Sequence, residues 1–245
     1  LLSLSSGSTR ARCLGLIDDV EDLGIIKVGA EAVVRKVLWR GMYLVEKRRV
    51  PKPYRHPELD REVRTSRTVR EARVMIRAKE AGVPCPAVIH VDLQNASIYM
   101  QYLEGSDLRP LLDSHSSIIP NLARDIGASL ARLHLSGIYH GDVVPSNLMV
   151  VGEQVAFIDF GLSGFSQDIE EHAVDLHLFE RGVSASHPDI APRVTRSLKE
   201  GYASVAGEER LLEVEAKIAE IRSRARYVER GGLAKAGRRS VAGGF

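Results

Sequence analysis

Residues 140–161 read HGDVVPSNLMVVGEQVAFIDFG. Asp142 and Asn147 are separated by four residues, and Asp159 follows beyond an apolar run, within Asp159-Phe160-Gly161. Leu148 to Val151 reads as a short buried strand and Val155 to Ile158 as a second, with Gly152-Glu153-Gln154 as the turn between them. Such a hairpin brings Asn147 and Asp159 to the same end. The spacing is that of a phosphoryl-transfer site. One carboxylate, Asp142, accepts the proton of an attacking hydroxyl, while the Asn147 amide and the Asp159 carboxylate hold Mg²⁺ against nucleotide phosphates. The chemistry asks for these types: a short acid as base, and hard oxygen donors for a hard cation that keeps several of its waters. Taken singly, Asp142 could cap a helix, Asn147 could sit in a turn and Asp-Phe-Gly could be chance. Three together, in order and in register, argue for a nucleotide site.

The residues upstream fit a kinase-like arrangement. Gly24 to Arg48 reads as three antiparallel strands: Ile25 to Val28, Val33 to Trp39, a turn at Arg40-Gly41, and Met42 to Lys47. The turn Gly29-Ala30-Glu31-Ala32 stands where a kinase places its glycine-rich loop over the phosphates, so Gly29 and Glu31 are candidate ATP contacts. Only one of three glycines is present, which restricts how closely the backbone can approach. Lys47, late in the third strand, is placed to neutralise the α- and β-phosphates, with Arg48 and Arg49 beside it as alternative registers. His56-Pro57 opens a helix to Glu80, stopped by Gly82 and Pro84, with Leu59, Val63, Ser66, Val69, Ala72 and Ile76 near one face. Glu71, the acid amid its arginines, is the natural partner for Lys47; the plainer reading is an exposed Glu paired with Arg67 or Arg70. Val88 to Val91 and Ser97 to Met100 complete five strands. Gln101 to Gly105 then forms the connector whose backbone, from Gln101 to Leu103, meets adenine. Leu122 to Leu135 has helical periodicity and leads into the catalytic stretch.

Downstream of Gly161 the pattern departs from ordinary protein kinases. Asp168-Ile169-Glu170-Glu171 is a capping-box pattern that opens a helix almost at once. No Ala-Pro-Glu follows, and Ala191-Pro192 runs on to Arg193, so a peptide-binding activation segment has little room. Asp175 is expected to brace the catalytic loop together with His140, although a surface Asp is the plain alternative. Leu198 to Val228 supplies the remaining helices, and Gly231 to Phe245 reads as a flexible basic tail.

The whole chain sets bounds. Its 245 residues suffice for one good core or two small lobes sharing a cleft. With 44% hydrophobic and 27% charged residues it has an ordinary globular composition. No apolar run reaches the ~20 residues of a membrane helix, so no membrane partner is expected. Cys13 and Cys85 lack metal-ligand company and read as free thiols in a reducing compartment. Net charge is only +2 but unevenly placed: twelve Lys/Arg against four Asp/Glu from Lys47 to Lys79, and seven against one from Arg222 to Arg239. This asymmetry points to an acidic partner, with RNA the leading candidate, or to solvated helix faces near a nucleotide site. Aromatic residues are too sparse in these runs to serve as stacking platforms, so phosphate contacts would dominate. Residues 1–20 are rich in Leu, Ser and Arg and read as a frayed tail, an artefact of the gene start or a targeting remnant.

These residues resemble a known family, the small atypical serine/threonine kinase/ATPase of the KEOPS (EKC) complex, a relative of the RIO-type kinases. The resemblance covers nearly the whole chain beyond residue 24. It rests on Gly29-Ala30-Glu31-Ala32, Lys52-Pro53-Tyr54-Arg55-His56-Pro57, Arg67-Thr68 with Glu71-Ala72-Arg73, and Ala81-Gly82-Val83-Pro84. His140-Gly141-Asp142, Ser146-Asn147, Ile158 to Ser163, Ala173-Val174-Asp175-Leu176, Leu178-Phe179-Glu180-Arg181 and Arg238-Arg239-Ser240 complete it. The Tyr-Arg-His-Pro and Ala-Val-Asp-Leu segments are more specific than the kinase core. Val143-Val144-Pro145 and Gln101 depart from the usual family residues, as does the chain beyond Ser240.

The resemblance implies an α+β, two-lobed protein-kinase-like fold. A five-stranded N-lobe with one main helix spans about residues 24–100, a reduced, mostly helical C-lobe about 106–230, and tails flank the domain at 1–23 and 231–245. It implies ATP with Mg²⁺, or Mn²⁺ in its place, and serine/threonine autophosphorylation. It also implies ATP hydrolysis within a complex that makes threonylcarbamoyladenosine on tRNA, in cytoplasm and nucleus. The implied partners are a threonylcarbamoyl-transferase subunit, a small regulatory subunit and tRNA, with Arg238 and Arg239 tied to the active site and tRNA. Competing readings are a free-standing protein kinase, an aminoglycoside-kinase-type phosphotransferase and a non-catalytic ATP-holding scaffold.

Overall fold

The computed structural model describes residues 20–237, with side chains as far as Arg224. The chain divides into two compact units: residues up to Val69 with Val88–Tyr102, and Arg70–Ala87 with Leu103 onward. Arg238, Arg239, Cys13 and the residues read as a targeting remnant lie outside the described residues.

The first unit is a five-stranded antiparallel sheet in the order β1-β2-β3-β5-β4. Its strands are β1 (Glu21–Val28), β2 (Ala32–Trp39), β3 (Met42–Arg49), β4 (Val88–Asp92) and β5 (Ser97–Gln101). β2 and β3 pair without a break from Ala32↔Arg49 to Trp39↔Met42. Their two-residue turn puts Arg40 at φ 49° and Gly41 at φ 79°. This left-handed pair matches the twist of a tight hairpin and explains the glycine. The β4–β5 turn is held by Asp92 Oδ1, which accepts the amides of Gln94 at 2.9 Å and Asn95 at 3.1 Å. β1 starts earlier than its apolar residues suggest, because an edge strand pairs through its backbone whatever its side chains.

α1 (Pro57–Glu80) begins where Pro57 predicts, and the division between units falls within it, after Val69. Its buried side is only partly the expected one. Of the expected face Ala72 is buried, but Leu59, Ser66 and Ile76 are exposed, whereas Asp60, Thr68, Glu71, Val74, Met75 and Ala78 are buried. Polar residues occupy part of the inward seam, so apolar periodicity points partly to the wrong face. Asp60 is one such residue. Its carboxylate accepts Arg64 Nε at 2.6 Å, Arg55 Nη1 at 3.3 Å and the Lys52 amide at 3.2 Å, which pins the 52–55 turn to the helix.

The second unit holds β6 (Ser106–Asp107), α2 (Arg109–Asp113), α3 (Ile119–Leu135), β7 (Ile138–Tyr139), β8 (Leu148–Val151), β9 (Gln154–Phe157) and β10 (Gly164–Phe165). It ends with α4 (Ile169–Ser186), α5 (Ala191–Ala206) and α6 (Glu208–Gly237). β6-β8-β9 form one small sheet and β10-β7 a ribbon. Asp168 caps α4 by accepting the Glu170 amide at 2.9 Å. Ala191-Pro192 opens α5, with proline in the first turn where its missing N–H costs nothing; it is a helix start rather than a remnant of Ala-Pro-Glu. α6 continues to Gly237, past the Gly231-Gly232 pair where the sequence suggests an end. A helix already tied down tolerates ~1 kcal/mol per glycine. α6 is tied to α4 through Arg222 to Glu180 at 2.6 Å and Arg224 to Glu170 at 3.1 Å.

α3 and α5 cross at glycines. A methyl group on Gly127 would lie 1.9 Å from the Leu198 carbonyl oxygen, and one on Gly201 would lie 1.9 Å from that of Arg124. Leu130, Leu133, Phe157, Phe160, Leu176, Phe179, Leu198 and Tyr202 are buried around this crossing and the small sheet. Among the described residues no helix is long and apolar enough to cross a membrane.

Cys85 is a free, buried thiol whose pKa is pushed up to about 11 by burial, with Lys79 acting weakly the other way. At pH 8 such a thiol is ionised to only about one part in a thousand, and the thiolate is the reactive form. Iodoacetamide at that pH is expected to leave Cys85 unmodified in the folded protein and to alkylate it fully in denaturant, read by peptide mass. Rapid labelling of the native protein would contradict the burial.

Candidate active site

The candidate catalytic loop runs from β7 into a single 3₁₀ turn, Pro145–Asn147, and on into β8. In the β8–β9 hairpin Leu148 faces Phe157 and Val151 faces Gln154. The ladder extends one step further, with the Ile158 amide donating to the Asn147 carbonyl at 2.9 Å. Asn147 and Asp159 therefore stand at the same end of the hairpin, as the sequence predicts, although β9 begins at Gln154 rather than Val155.

Asp142 and Asn147 are in direct contact. Asn147 Nδ2 donates to the Asp142 carbonyl at 3.0 Å and to Asp142 Oδ2 at 2.8 Å. With its nitrogen held this way, the Asn147 side chain has its carbonyl oxygen to offer a cation. Asp159 adopts φ 63°, a left-handed conformation uncommon outside glycine and best tolerated by Asp and Asn. Its Oδ1 accepts the Gly161 amide at 3.3 Å, and the next residue, Phe160, is fully buried. Among the described residues there is no cluster of three or more His, Cys, Asp or Glu side chains that could hold a metal. One carboxylate and one amide oxygen fit a different mode, that of Mg²⁺ completed by phosphate and water oxygens.

Two further residues support the loop. His140 is buried, its Nδ1 accepts the Asp142 amide at 3.3 Å, and its ring rests 4.7 Å from that of Phe160. Burial lowers its pKa despite the neighbouring carboxylates, which suits the neutral ring this hydrogen bond requires. Asp175, on α4, accepts the His140 amide at 2.6 Å on one oxygen and the Gly141 amide at 2.7 Å on the other. Burial pushes this carboxyl up, but the hydrogen bonds from His134 and from the His140 amide hold it below the ordinary range. The brace role expected of Asp175 is thus met by geometry, and the surface-Asp alternative is not.

The other predicted residues are placed as follows. Lys47 is buried on β3, between Val34 on β2 and Ile98 on β5, while Arg48 is exposed and bonded to Asn95. Glu71 is buried in α1, so the reading of it as an exposed acid fails. Gly29 donates its amide to Ala32 at 2.9 Å, and Glu31 pairs with Arg67 at 2.9 Å. Gln101 belongs to β5 opposite Leu44 rather than to the connector, and Leu103 lies just beyond it. The charge asymmetry is partly internal. Arg55, Arg64, Arg67, Arg77, Arg222 and Arg224 all form ion pairs, while Arg61, Arg70 and Arg73 are exposed. Sequence reasoning missed His134, whose Nε2 lies 3.2 Å from Asp175 Oδ2, because a histidine within a helical apolar pattern gives no separate signal.

A five-stranded antiparallel sheet in one unit, and in the other a braced loop joining an Asp–Asn pair to an Asp-Phe-Gly turn, define a kinase-like protein. The RIO domain model matches residues 42–186, and the chain belongs to the RIO domain family. It is 39% identical over 217 residues to the KEOPS complex subunit Bud32 of Pyrococcus abyssi, covering 84% of this chain and 97% of that protein. A probable serine/threonine-protein kinase BUD32 homolog of Archaeoglobus fulgidus is 36% identical over 205 residues, again covering 97% of the relative. A probable bifunctional tRNA threonylcarbamoyladenosine biosynthesis protein of Methanothermobacter thermautotrophicus is 37% identical over 205 residues, and there the chain spans only 37% of the relative's length.

Proposed function

We propose that this protein is a Mg²⁺-ATP-dependent kinase/ATPase that acts in a KEOPS complex and supports threonylcarbamoyladenosine modification of tRNA. The observation that carries the reading is the double hydrogen bond from Asn147 to Asp142, on a loop braced by Asp175. It sets a carboxylate base beside an amide oxygen, at the hairpin end that also carries Asp159. Bound there, Mg²⁺ would screen the phosphate charge as the γ-phosphoryl group departs. Asp142 orients the attacking oxygen and takes its proton, and Asn147 and Asp159 would hold the cation. Lys47 as the cation for the α- and β-phosphates, and Glu71 as its partner, complete the reading with roles drawn from sequence. Membership of KEOPS is supported by the names of the relatives; a threonylcarbamoyl-transferase subunit, a small regulatory subunit and tRNA as its partners are drawn from the sequence resemblance.

A free-standing serine/threonine kinase is the second reading, favoured by the name of the Archaeoglobus relative. Against it, Gly161 is followed by β10 and then by the α4 cap at Asp168, leaving little chain for a peptide platform. The test is phosphate release from Mg²⁺-ATP by the chain alone, with a threonylcarbamoyl-transferase partner, and with tRNA added. A slow basal rate that rises severalfold with partner and tRNA is expected. No response to either, together with efficient phosphorylation of an outside protein, would shift the assignment to the independent kinase.

A further inference from the structure

Two imidazoles lie face to face behind the catalytic loop. His134 on α3 and His172 on α4 are buried and stacked, ring centres 4.2 Å apart and planes within 4°. Each reaches a different part of the site. His134 Nε2 meets Asp175 Oδ2 at 3.2 Å, and its Nδ1 meets the Tyr202 hydroxyl on α5 at 3.0 Å. His172 Nε2 meets the Ser166 carbonyl at 3.2 Å, and Arg210 of α6 approaches its Nδ1 at 3.0 Å. The partners assign the tautomers. A carboxylate and a carbonyl oxygen only accept, so both rings carry their proton on Nε2. A guanidinium only donates, so His172 Nδ1 accepts from Arg210, and His134 Nδ1 accepts the Tyr202 hydroxyl. The His172 pKa is pushed down to about 4 by burial first and then by the adjoining His134, so its ring stays neutral.

We infer that His134 and Tyr202 are positioning residues for the reaction: the chain Tyr202–His134–Asp175 sets the backbone of His140 and Gly141, and through it Asp142. Asp175 has one oxygen on the Gly141 amide and the other shared between the His140 amide and His134. Without the His134 proton the carboxylate loses one of its three donors, and the two amides it is meant to hold are left to set its orientation by themselves. The Tyr202 hydroxyl fixes the ring plane that aims that proton. The stacked His172 does the matching task for Ser166, on the segment that follows Asp159. Thus α5 and α6, which carry no reacting group, set the geometry of both halves of the site. Such second-rank contacts matter because a displacement of about 1 Å at a reacting group costs roughly a hundredfold in rate.

The kinetic part of this inference rests on the proposed function; the structural part does not. The test uses His134→Phe, which keeps a stacked ring and loses both hydrogen bonds, His134→Gln, which returns a donor near Nε2, and Tyr202→Phe, which removes one oxygen. Two quantities are read: kcat and KM for ATP hydrolysis, and amide exchange of the peptide spanning residues 138–147. For His134→Phe, kcat is expected to fall about 10- to 100-fold with KM for ATP within about threefold. Exchange at His140 and Gly141 should quicken at least about tenfold. His134→Gln should recover to within about fivefold of wild type, and Tyr202→Phe should lie between the two. Unchanged kcat and exchange in His134→Phe, or a Gln variant no better than Phe, would overturn the inference. If His134→Phe does not fold, Tyr202→Phe decides alone, and wild-type values for both quantities would overturn it. Should the wild-type protein fail to hydrolyse ATP in any arm, the functional reading falls, while the exchange data still judge the positioning chain.

Discussion

Asp142→Asn is expected to lower phosphate release by about two to four orders of magnitude, the range of a lost general base, while the melting temperature stays within about 2 °C of wild type. The separation of rate from stability follows from the local hydrogen bonding. Asp142 Oδ2 accepts Asn147 Nδ2 at 2.8 Å, and the side-chain oxygen of an asparagine can accept the same bond. The amide of residue 142 still finds His140 Nδ1, and Asp175 still braces the loop. What disappears is the capacity to take a proton. KM for ATP should therefore move by no more than about threefold, since an interaction made chiefly in the transition state has been removed. Phosphate-release kinetics with a thermal melt on the same preparation checks this. A variant that keeps more than about a tenth of the wild-type rate would take Asp142 out of the base role.

Gly201→Ala is expected to destabilise the protein by at least about 3 kcal/mol, at the upper end of overpacking effects. For a domain of this size that lowers the melting temperature by about 6–12 °C. The added methyl would sit 1.9 Å from the Arg124 carbonyl oxygen and 2.7 Å from its carbon. These are backbone atoms of a helix, not the far end of a flexible side chain, so relief requires α3 and α5 to move apart. The sign is itself the test. On helix propensity alone, Ala in place of Gly would stabilise by about 1 kcal/mol. A melt that rises with Gly201→Ala would mean that the helices do not approach as described. Gly127→Ala, facing Leu198 from the other helix, should behave alike.

The contrast between these two predictions shows where sequence reading succeeds and where it stops. Asp142, Asn147 and Asp159 are legible as a candidate site because the chemistry proposed for them restricts both residue type and spacing, and the local hairpin turns spacing into position. The two left-handed residues at Arg40-Gly41 and the proline at the head of α1 are legible for the same reason: backbone sterics act over a few residues. The buried face of α1 is not legible. Asp60 and Thr68 lie inward because partners distant in sequence or on neighbouring turns satisfy them, Glu71 is buried with them, and a hydropathy pattern counts all three as outward. Gly127 and Gly201 give no sequence signal of the close approach that the crossing of α3 and α5 reveals. His134 reads as part of an apolar stripe.

From the sequence alone came the order of the main elements, the loop that carries Asp142 and Asn147 and the groups proposed to react there, since each depends on residue type and local spacing. The tertiary structure decided the partners. It decided which acids are buried and paired, that Asp175 takes both the His140 and Gly141 amides, and that Tyr202 and Arg210 stand behind the loop. The physical reason is range: chain stereochemistry acts between neighbours, whereas the cost of burying a polar group is met by whichever donor the fold brings within 3 Å.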